Sequence, residues 1–180
     1  MPAAIPFRRS YWVEPHRLLA GFLPGDKDPT TATAKCSALI GSGIRLVINL
    51  MEESEPDWHG HPFVPYDETL RHCAGLLGTQ ANMLRFPIRD VDVPSHSHMS
   101  AILDAIDHGI ASGGVYVHCR GGRGRTGTTI GCWLVRHGVA SPQNARASLA
   151  TLTAHDRTSF PHIPETTTQR QFIQSWQRHQ

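Results

Sequence analysis

A chain of 180 residues has the length of one domain, and 39% hydrophobic residues supply enough apolar material for a core. This composition excludes a disordered chain, and a net charge of +2 argues against a nucleic-acid binder driven by bulk electrostatics. No long apolar run exists, and residues 1–15 lack the apolar core of a signal peptide. We therefore expect a single cytoplasmic domain over residues 1–180, without an integral membrane segment and without a nucleic-acid partner.

The first part of the chain predicts strands that alternate with one helix. Short apolar runs at 11–13 and 18–23 predict two strands. A helix with a threonine as its N-cap is expected over 30–40, and glycines end it. Residues 45–50 are almost continuously apolar, which is typical of a buried parallel strand. An acidic loop follows at 52–57.

The middle of the chain continues the alternation. We expect a helix over 67–77 and a strand over 83–88, followed by a proline-containing loop at 89–94. The next helix is expected to start at Ser97 or Ser100 and to stop before the strand at 115–118.

Three predicted helices complete the chain. One runs over 126–137, one is capped by Ser141 with Pro142 in its first turn, and the last covers 165–176. Strands that alternate with helices favour an α/β domain with a mainly parallel central sheet flanked by helices on both faces.

The four cysteines of the chain are widely spaced, and none forms a CxxC pair. A zinc ribbon or a redox dithiol is therefore not expected. Cys36, Cys73 and Cys132 are interpreted as ordinary buried thiols.

A glycine-rich segment at 117–127 lies between a predicted strand and a predicted helix. Its glycines Gly121, Gly122 and Gly124 allow the backbone to curl with several N–H groups pointing inward, a nest that binds anions. The helix that follows directs the positive end of its dipole to the same place.

Two residues of this segment have the chemistry of phosphoryl transfer. Cys119 lies at the end of the strand, and a thiol beside a helix N-terminus and arginines ionises easily and becomes a strong nucleophile. Arg125 follows after five residues that can surround a phosphate, and its planar fork holds two phosphate oxygens at once. Thr126 is predicted to donate a hydroxyl hydrogen bond to the sulfur.

The distribution of charge around the segment also favours an anion site. No Asp or Glu occurs between Asp107 and Asp156. The same interval contains Arg120, Arg123, Arg125, Arg136 and Arg146.

Cys119-x5-Arg125-Thr126, preceded by His118, matches the H-C-x5-R-[ST] signature, and the chain resembles the protein tyrosine phosphatase superfamily, in particular its small dual-specificity branch. The resemblance implies a phosphatase-type loop between strand and helix, a cysteinyl-phosphate intermediate, and neither metal nor cofactor. His118 is expected to brace the loop. The residues expected to bind phosphate are Arg120, Gly121, Gly122, Arg123, Gly124 and Arg125.

The same part of the sequence also allows a dinucleotide-binding site or a metal site. Gly122-x-Gly124-x-x-Gly127 spells a dinucleotide fingerprint, but the acidic residue that should follow on a second strand is absent from the sequence. A metal site would use His118 with Cys119, or His96 with His98, which are more often exposed loop residues than ligands.

The candidates for the general acid precede Cys119 in the sequence. Asp90 and Asp92 lie in a loop that follows a predicted strand, where either carboxyl group could reach over the pocket. In small dual-specificity phosphatases the acid often follows Pro-Ile-x and precedes a Pro-Ser, and Asp90 fits this pattern. Asp92 remains open as the alternative, and a turn aspartate that caps the backbone is the ordinary role for either.

The segment that begins at Pro164 resembles the Q-T-x-x-Q segment of classical tyrosine phosphatases, with Glu165 in place of the first glutamine and Gln169 as the second. The preferred interpretation is structural, with Glu165 near a helix dipole and Gln169 on a surface turn.

Three function classes stay open. The first is a protein phosphatase acting on phosphotyrosine, with phosphoserine and phosphothreonine as further targets, and its expected partner is a phosphorylated protein or a small phosphorylated substrate. The second is a phosphoinositide or inositol phosphate phosphatase, since Arg120 and Arg123 resemble the two basic residues of lipid phosphatases. The third is a non-catalytic phosphate-binding module.

Overall fold

The structure, a computed structural model, describes residues 3–57 and 59–180. Five strands form one mixed sheet in the order β1-β2-β5-β3-β4, in which β1 and β2 are antiparallel and all other neighbours are parallel. The strands are β1 (Ser10–Glu14), β2 (Leu18–Gly21), β3 (Ile44–Asn49), β4 (Asn82–Arg85) and β5 (Gly114–His118). The predicted α/β fold with a mainly parallel sheet is confirmed.

Six α-helices surround this sheet in two groups. They are α1 (Pro29–Gly41), α2 (Asp67–Leu76), α3 (His96–Ser112), α4 (Gly124–Arg136), α5 (Ala145–Leu152) and α6 (Thr167–Ser175). Helices α1 and α2 pack on each other and on β3 and β4, whereas α3 and α4 pack on β5 and carry α5 and α6. Because parallel crossovers are right-handed and the sheet order reverses after β4, the two groups lie on opposite faces.

The central strand β5 is buried along its whole length, as expected for a strand with parallel neighbours on both sides and helices on both faces. The loops that follow β3, β4 and β5 all leave the sheet at the carboxyl ends of parallel strands. This edge is where ligands bind in open α/β sheets. It therefore brings together the loops at 50–66, 86–95 and 119–123.

The start of α1 differs from the expectation of a threonine N-cap. Asp28 is the N-cap, and its carboxylate accepts from the amides of Thr30 and Thr31. Pro29 then occupies the first helical position, where its missing N–H costs nothing. The helix therefore begins before both threonines.

Two other helix starts were also predicted wrongly. Helix α3 begins at His96, with Ser95 as its N-cap, earlier than Ser97 or Ser100. The Ser141 side chain does accept from the amide of Asn144, but residues 142–144 form a turn and α5 begins only at Ala145.

Strand β4 is shorter than the predicted run over 83–88. Pro87 has no N–H to donate to a ladder, so regular pairing stops at Arg85. The amides of Phe86 and Ile88 still donate to Asn49 and Leu50, and these bonds hold the following loop against the end of β3.

No helix in the part of the chain that the structure describes is long and apolar enough to span a bilayer.

Candidate active site

A loop between β5 and α4 holds Cys119 at the end of the central strand. The Cys119 side chain is nearly enclosed, with 2% of its surface exposed. Gly122 has a φ of 73°, and a Cβ atom at this position would lie 2.5 Å from the carbonyl carbon of Gly21. Only glycine satisfies both the left-handed backbone and the close approach of β2.

Several hydrogen-bond donors of this loop have no partner among the residues that the structure describes. The amides of residues 121–124 donate to no other group in the described chain. Arg125 Nε and Thr126 Oγ1 are buried and equally lack a partner there. Buried donors in native proteins are normally satisfied. Together with the N-terminus of α4, which begins at Gly124, these donors have the composition of an anion-binding nest.

Arg125 is fixed by a carboxylate from a distant loop. Glu55 accepts from Arg125 Nη1 at 2.6 Å and from Nη2 at 2.9 Å, and the carbonyl oxygen of Ile88 accepts from Nη1 at 3.1 Å. The side chains of Arg125 and Glu55 are 1% and 5% exposed. Burial disfavours the cation, but the hydrogen bonds to Glu55 and the nearby negative charges together outweigh it and raise the pKa of Arg125. Arg125 is therefore a permanently charged group with a fixed orientation.

Glu55 was not predicted as a site residue, although 52–57 was expected to form an acidic loop. The available indication was the position of this loop, directly after a buried parallel strand and hence at the same sheet edge as Cys119. Nothing in the local sequence distinguishes Glu55 from Glu52 or Glu53.

The two candidate acids occupy different environments. Asp90 Oδ1 lies 2.8 Å from Arg125 Nη2, and its side chain is 46% exposed, so it faces both the loop and the solvent. Asp92 accepts a hydrogen bond from the amide of Val93, the ordinary role of a turn aspartate. Between them, Val91 has a φ of 59°, an unfavourable conformation for a β-branched residue. Of the two candidate acids, Asp90 is thus the one that contacts Arg125.

His118 makes hydrogen bonds to the loop backbone and to Tyr66. Its Nδ1 donates to the carbonyl oxygen of Cys119 at 3.1 Å, and its Nε2 accepts a short hydrogen bond from the hydroxyl of Tyr66. Complete burial lowers the pKa of His118 to about 3. The imidazole is consequently neutral, and its tautomer is fixed by these two partners. Tyr66 was not singled out by the sequence analysis.

We expect the buried imidazole of His118 to make stability dependent on pH. The unfolded chain protonates this histidine below about pH 6.5, whereas the folded chain does so only near pH 3. The unfolded state therefore binds the extra proton in this window, and lowering the pH destabilises the fold by about 1.4 kcal/mol per unit. Urea titrations between pH 7 and pH 5 should show a steeper loss of stability in the unmodified chain than in His118→Gln. Equal slopes would contradict the assignment of a neutral histidine.

The other loop side chains point to different sides. Arg123 pairs with Glu165, and Arg120 lies over the ring of Phe63, 5.5 Å from its centroid.

The predicted hydrogen bond from Thr126 to Cys119 is not formed in the described chain, because Thr126 Oγ1 has no partner. Arg136, one of the arginines counted toward the anion site, pairs with Asp104 and Asp107 at the far end of α4.

The interpretation of Gln169 as a surface residue is wrong. Its side chain is fully buried, it completes a capping box with Thr166, and its Nε2 donates to the carbonyl oxygen of Asp92 at 3.3 Å. The start of α6 thus contacts the loop that carries Asp90. Glu165 lies directly before this cap and reaches the phosphate loop.

The alternative sites find little support in the geometry. His96 and His98 belong to the first turn of α3 and not to a loop, and the ring of His96 stacks on Trp176. Among residues 3–57 and 59–180, no group of three His, Cys, Asp or Glu side chains could hold a metal ion. The element that follows α4 is a helix and not the second strand that a dinucleotide fingerprint requires.

The remaining cysteines have the environment expected of structural thiols. Cys36, Cys73 and Cys132 are free and buried. Burial raises the pKa of Cys36 to about 12 and also raises the pKa of Cys132.

A family model and two curated proteins match parts of this chain. The family model described as PTP-SAK (Swiss Army Knife protein, DSP-PTPase phosphatase domain) matches residues 7–173. An uncharacterized protein of Methanocaldococcus jannaschii, MJECL20, is 40% identical over 60 residues, which are 33% of this chain and 41% of that protein. The dual specificity protein phosphatase CDC14B of Mus musculus is 43% identical over 54 residues, 30% of this chain and 10% of that protein. The matched segment thus covers less than half the length of these two curated relatives.

Solved structures share the fold at low sequence identity. Tk-PTP in its active form is 21% identical with a TM-score of 0.68, covering 93% of this chain and 95% of that one. PTPMT1 in complex with PI(5)P is 19% identical with a TM-score of 0.66, covering 92% of both chains. TpbA of P. aeruginosa in complex with pTyr is 15% identical with a TM-score of 0.63, covering 97% of this chain and 88% of that one.

Proposed function

The chain belongs to the PTP-SAK family of DSP-PTPase phosphatase domains, and on this premise we propose that it removes phosphate from phosphorylated proteins, with phosphotyrosine as the leading target and phosphoserine and phosphothreonine as further ones. The proposed chemistry is phosphate monoester hydrolysis through a phosphocysteine at Cys119. It uses neither metal nor cofactor.

The observation that carries this proposal is the arrangement around Cys119. A nucleophilic side chain lies at the end of a buried strand, followed by a loop in which the amides of residues 121–124, together with Arg125 Nε, have no partner within the described chain. An acid, Asp90, contacts the same arginine. A nucleophile, anion donors and a proton donor are the three components that phosphoryl transfer needs.

The first step forms the covalent intermediate. The substrate phosphate binds to the loop amides and Arg125, and the Cys119 thiolate attacks phosphorus in line with the leaving oxygen. The bond from phosphorus to that oxygen breaks, and Asp90 transfers its proton to the departing alkoxide or phenoxide. The charge on the equatorial oxygens is stabilised by Arg125, whose orientation Glu55 fixes.

The second step releases inorganic phosphate. Asp90, now a carboxylate, accepts a proton from water as the water oxygen attacks the phosphocysteine. The bond from phosphorus to sulfur breaks and Cys119 leaves as a thiolate. Water, phosphate ester and enzyme are thereby converted to alcohol, inorganic phosphate and unchanged enzyme.

We expect Asp90→Asn to lower kcat by roughly 100-fold on a phosphotyrosine peptide, because a phenoxide leaving group needs the proton. The loss should be smaller on para-nitrophenyl phosphate, whose leaving group is a weaker base. The matched control is Asp92→Asn, which should stay within roughly 3-fold of the unmodified chain, since Asp92 only caps the backbone. A larger loss from Asp92→Asn would transfer the role of the acid to that residue.

A phosphoinositide or inositol phosphate is the second candidate substrate. Two features favour it: Arg120 and Arg123 both belong to the phosphate loop, and PTPMT1, a fold neighbour, binds PI(5)P in its solved structure. One feature opposes it, because Arg123 is already engaged by Glu165. The fold neighbour TpbA, in contrast, was solved with pTyr.

A substrate panel distinguishes the two candidates. Phosphate release would be measured on phosphotyrosine, phosphoserine and phosphothreonine peptides and on inositol phosphates at equal concentration. The proposed function requires the highest kcat/KM on a phosphopeptide. A higher kcat/KM on an inositol phosphate would replace it with the second candidate.

A further inference from the structure

Glu165 and Arg123 form an ion pair at the rim of the phosphate loop. Arg123 Nη2 lies 2.5 Å from Glu165 Oε1, and the two side chains are 33% and 30% exposed. We propose that Glu165 is a specificity-determining residue whose carboxylate engages Arg123 and disfavours substrates that carry a second phosphate beside the one hydrolysed. This inference rests on the proposed function, in which the loop from Cys119 to Arg125 binds the scissile phosphate.

The backbone of Glu165 is held in place by the helix that follows it. Arg170 Nη1 donates to the carbonyl oxygens of Pro164 at 3.1 Å and of Glu165 at 3.2 Å. The capping box of Thr166 and Gln169 begins at the next residue. Glu165 is thus positioned by the start of α6 and does not depend on Arg123 for its location.

The carboxylate of Glu165 lies directly against the first turn of α4. A Cβ atom on Gly124 would be 2.6 Å from Glu165 Oε2, which shows how closely the carboxylate approaches the start of α4. Gly124 immediately precedes Arg125. A negative charge beside the residue that precedes Arg125 repels a further anionic group of a bound ligand, because the Coulomb energy falls only with the inverse of the distance.

The two additional arginines of the loop are directed to opposite sides. Arg120 lies over the ring of Phe63 and lines a pocket with Lys27 and Asp57. Arg123 is directed toward the start of α6. A second phosphate on the Arg123 side would have to approach the Glu165 carboxylate and displace it from the guanidinium.

Removing the charge of Glu165 would leave the Arg123 cation without the carboxylate with which it pairs. Arg123 Nε is buried and has no partner within the described chain, and Nη2 would lose its carboxylate. The guanidinium would then present two adjacent N–H groups, the geometry that binds a phosphate in a bidentate manner.

The test measures binding of two probes, an inositol monophosphate and an inositol bisphosphate, by calorimetry in the Cys119→Ser background, where neither probe is consumed. Glu165→Gln should raise the ratio of bisphosphate to monophosphate affinity by roughly 10-fold. Glu165→Asp keeps the charge and should leave the ratio close to that of the parent. Glu14→Gln is the matched control. It breaks the exposed ion pair between Glu14, at the end of β1, and Arg17, and it should leave the affinity ratio unchanged.

Arg123→Gln provides an independent variant. Alone it leaves the Glu165 carboxylate uncompensated and should lower the ratio, and combined with Glu165→Gln it should remove the gain. An unchanged ratio in Glu165→Gln, or a gain that persists without Arg123, would overturn the inference. Failure of the parent to bind inorganic phosphate in the same calorimetric titration would instead refute the proposed function, so the two failures are distinguishable.

Discussion

Replacing Cys119 with serine should abolish turnover of para-nitrophenyl phosphate, with a loss of roughly 10⁴-fold or more, because removing the nucleophile of a covalent mechanism removes its first step. Serine is nearly isosteric, but its hydroxyl does not ionise at neutral pH. The anion donors of the loop are untouched, so Cys119→Ser should still bind inorganic phosphate in a calorimetric titration.

The matched control is Cys132→Ala. Cys132 is also a buried thiol, but it lies on α4 beyond the loop and lacks a neighbouring anion site. This variant should retain turnover. Retained activity in Cys119→Ser, with the variant shown to be folded, would refute a covalent cysteine mechanism.

Replacing Glu55 with glutamine should damage both stability and catalysis. The substitution removes the negative charge of Glu55 and one of the two oxygens that accept from the buried Arg125 cation, whose other described partners are Asp90 and the carbonyl oxygen of Ile88. Breaking a buried pair from one side is strongly destabilising, and because two partners remain we expect a loss of about 3 kcal/mol. Freed from its bidentate partner, Arg125 should also lose its alignment, which lowers kcat/KM by roughly 100-fold.

Glu53→Gln is the control for this prediction, since it removes the same charge from the same loop at an exposed position. Its denaturation midpoint and kcat/KM should match those of the unmodified chain. If Glu55→Gln behaved like Glu53→Gln in both measurements, Arg125 would not depend on Glu55 for its position.

The parts of the site that local sequence determines could be predicted. Cys119, Arg125 and the glycines between them lie within seven consecutive positions, and their spacing alone specifies a curled loop between a strand and a helix. The structure places them there. The alternation of strands and helices likewise fixed the sheet class, because each element is identified by its own periodicity.

The parts that depend on tertiary packing could not be predicted. Glu55 reaches Arg125 across 70 positions of chain, and only the parallel sheet brings their loops to one edge. Gln169 was placed at the surface because its capping pattern is local, whereas its burial comes from α6 packing on α4. The pairing of Arg123 with Glu165 also depends on the packing of α6 on α4. It weakens the sequence-based argument that Arg120 and Arg123 together favour an inositide substrate.

The starts of three helices were predicted wrongly for a different reason. Several residues near the start of α1 can cap a helix. Which of them is the N-cap depends on the residue at which the backbone changes from an extended to a helical conformation, and this residue is Asp28. At α5 the cap-like Ser141 forms only a turn before the regular helix begins at Ala145.

The central claim is that phosphate passes through the sulfur of Cys119. Acid quenching of the unmodified protein during steady-state turnover, followed by mass spectrometry of its peptides, tests this most directly. The proposed mechanism requires one phosphoryl group on the peptide that contains Cys119, and none on any peptide of Cys119→Ser. Rapid turnover with no phosphorylated Cys119, or with the phosphoryl group on another residue, would contradict it.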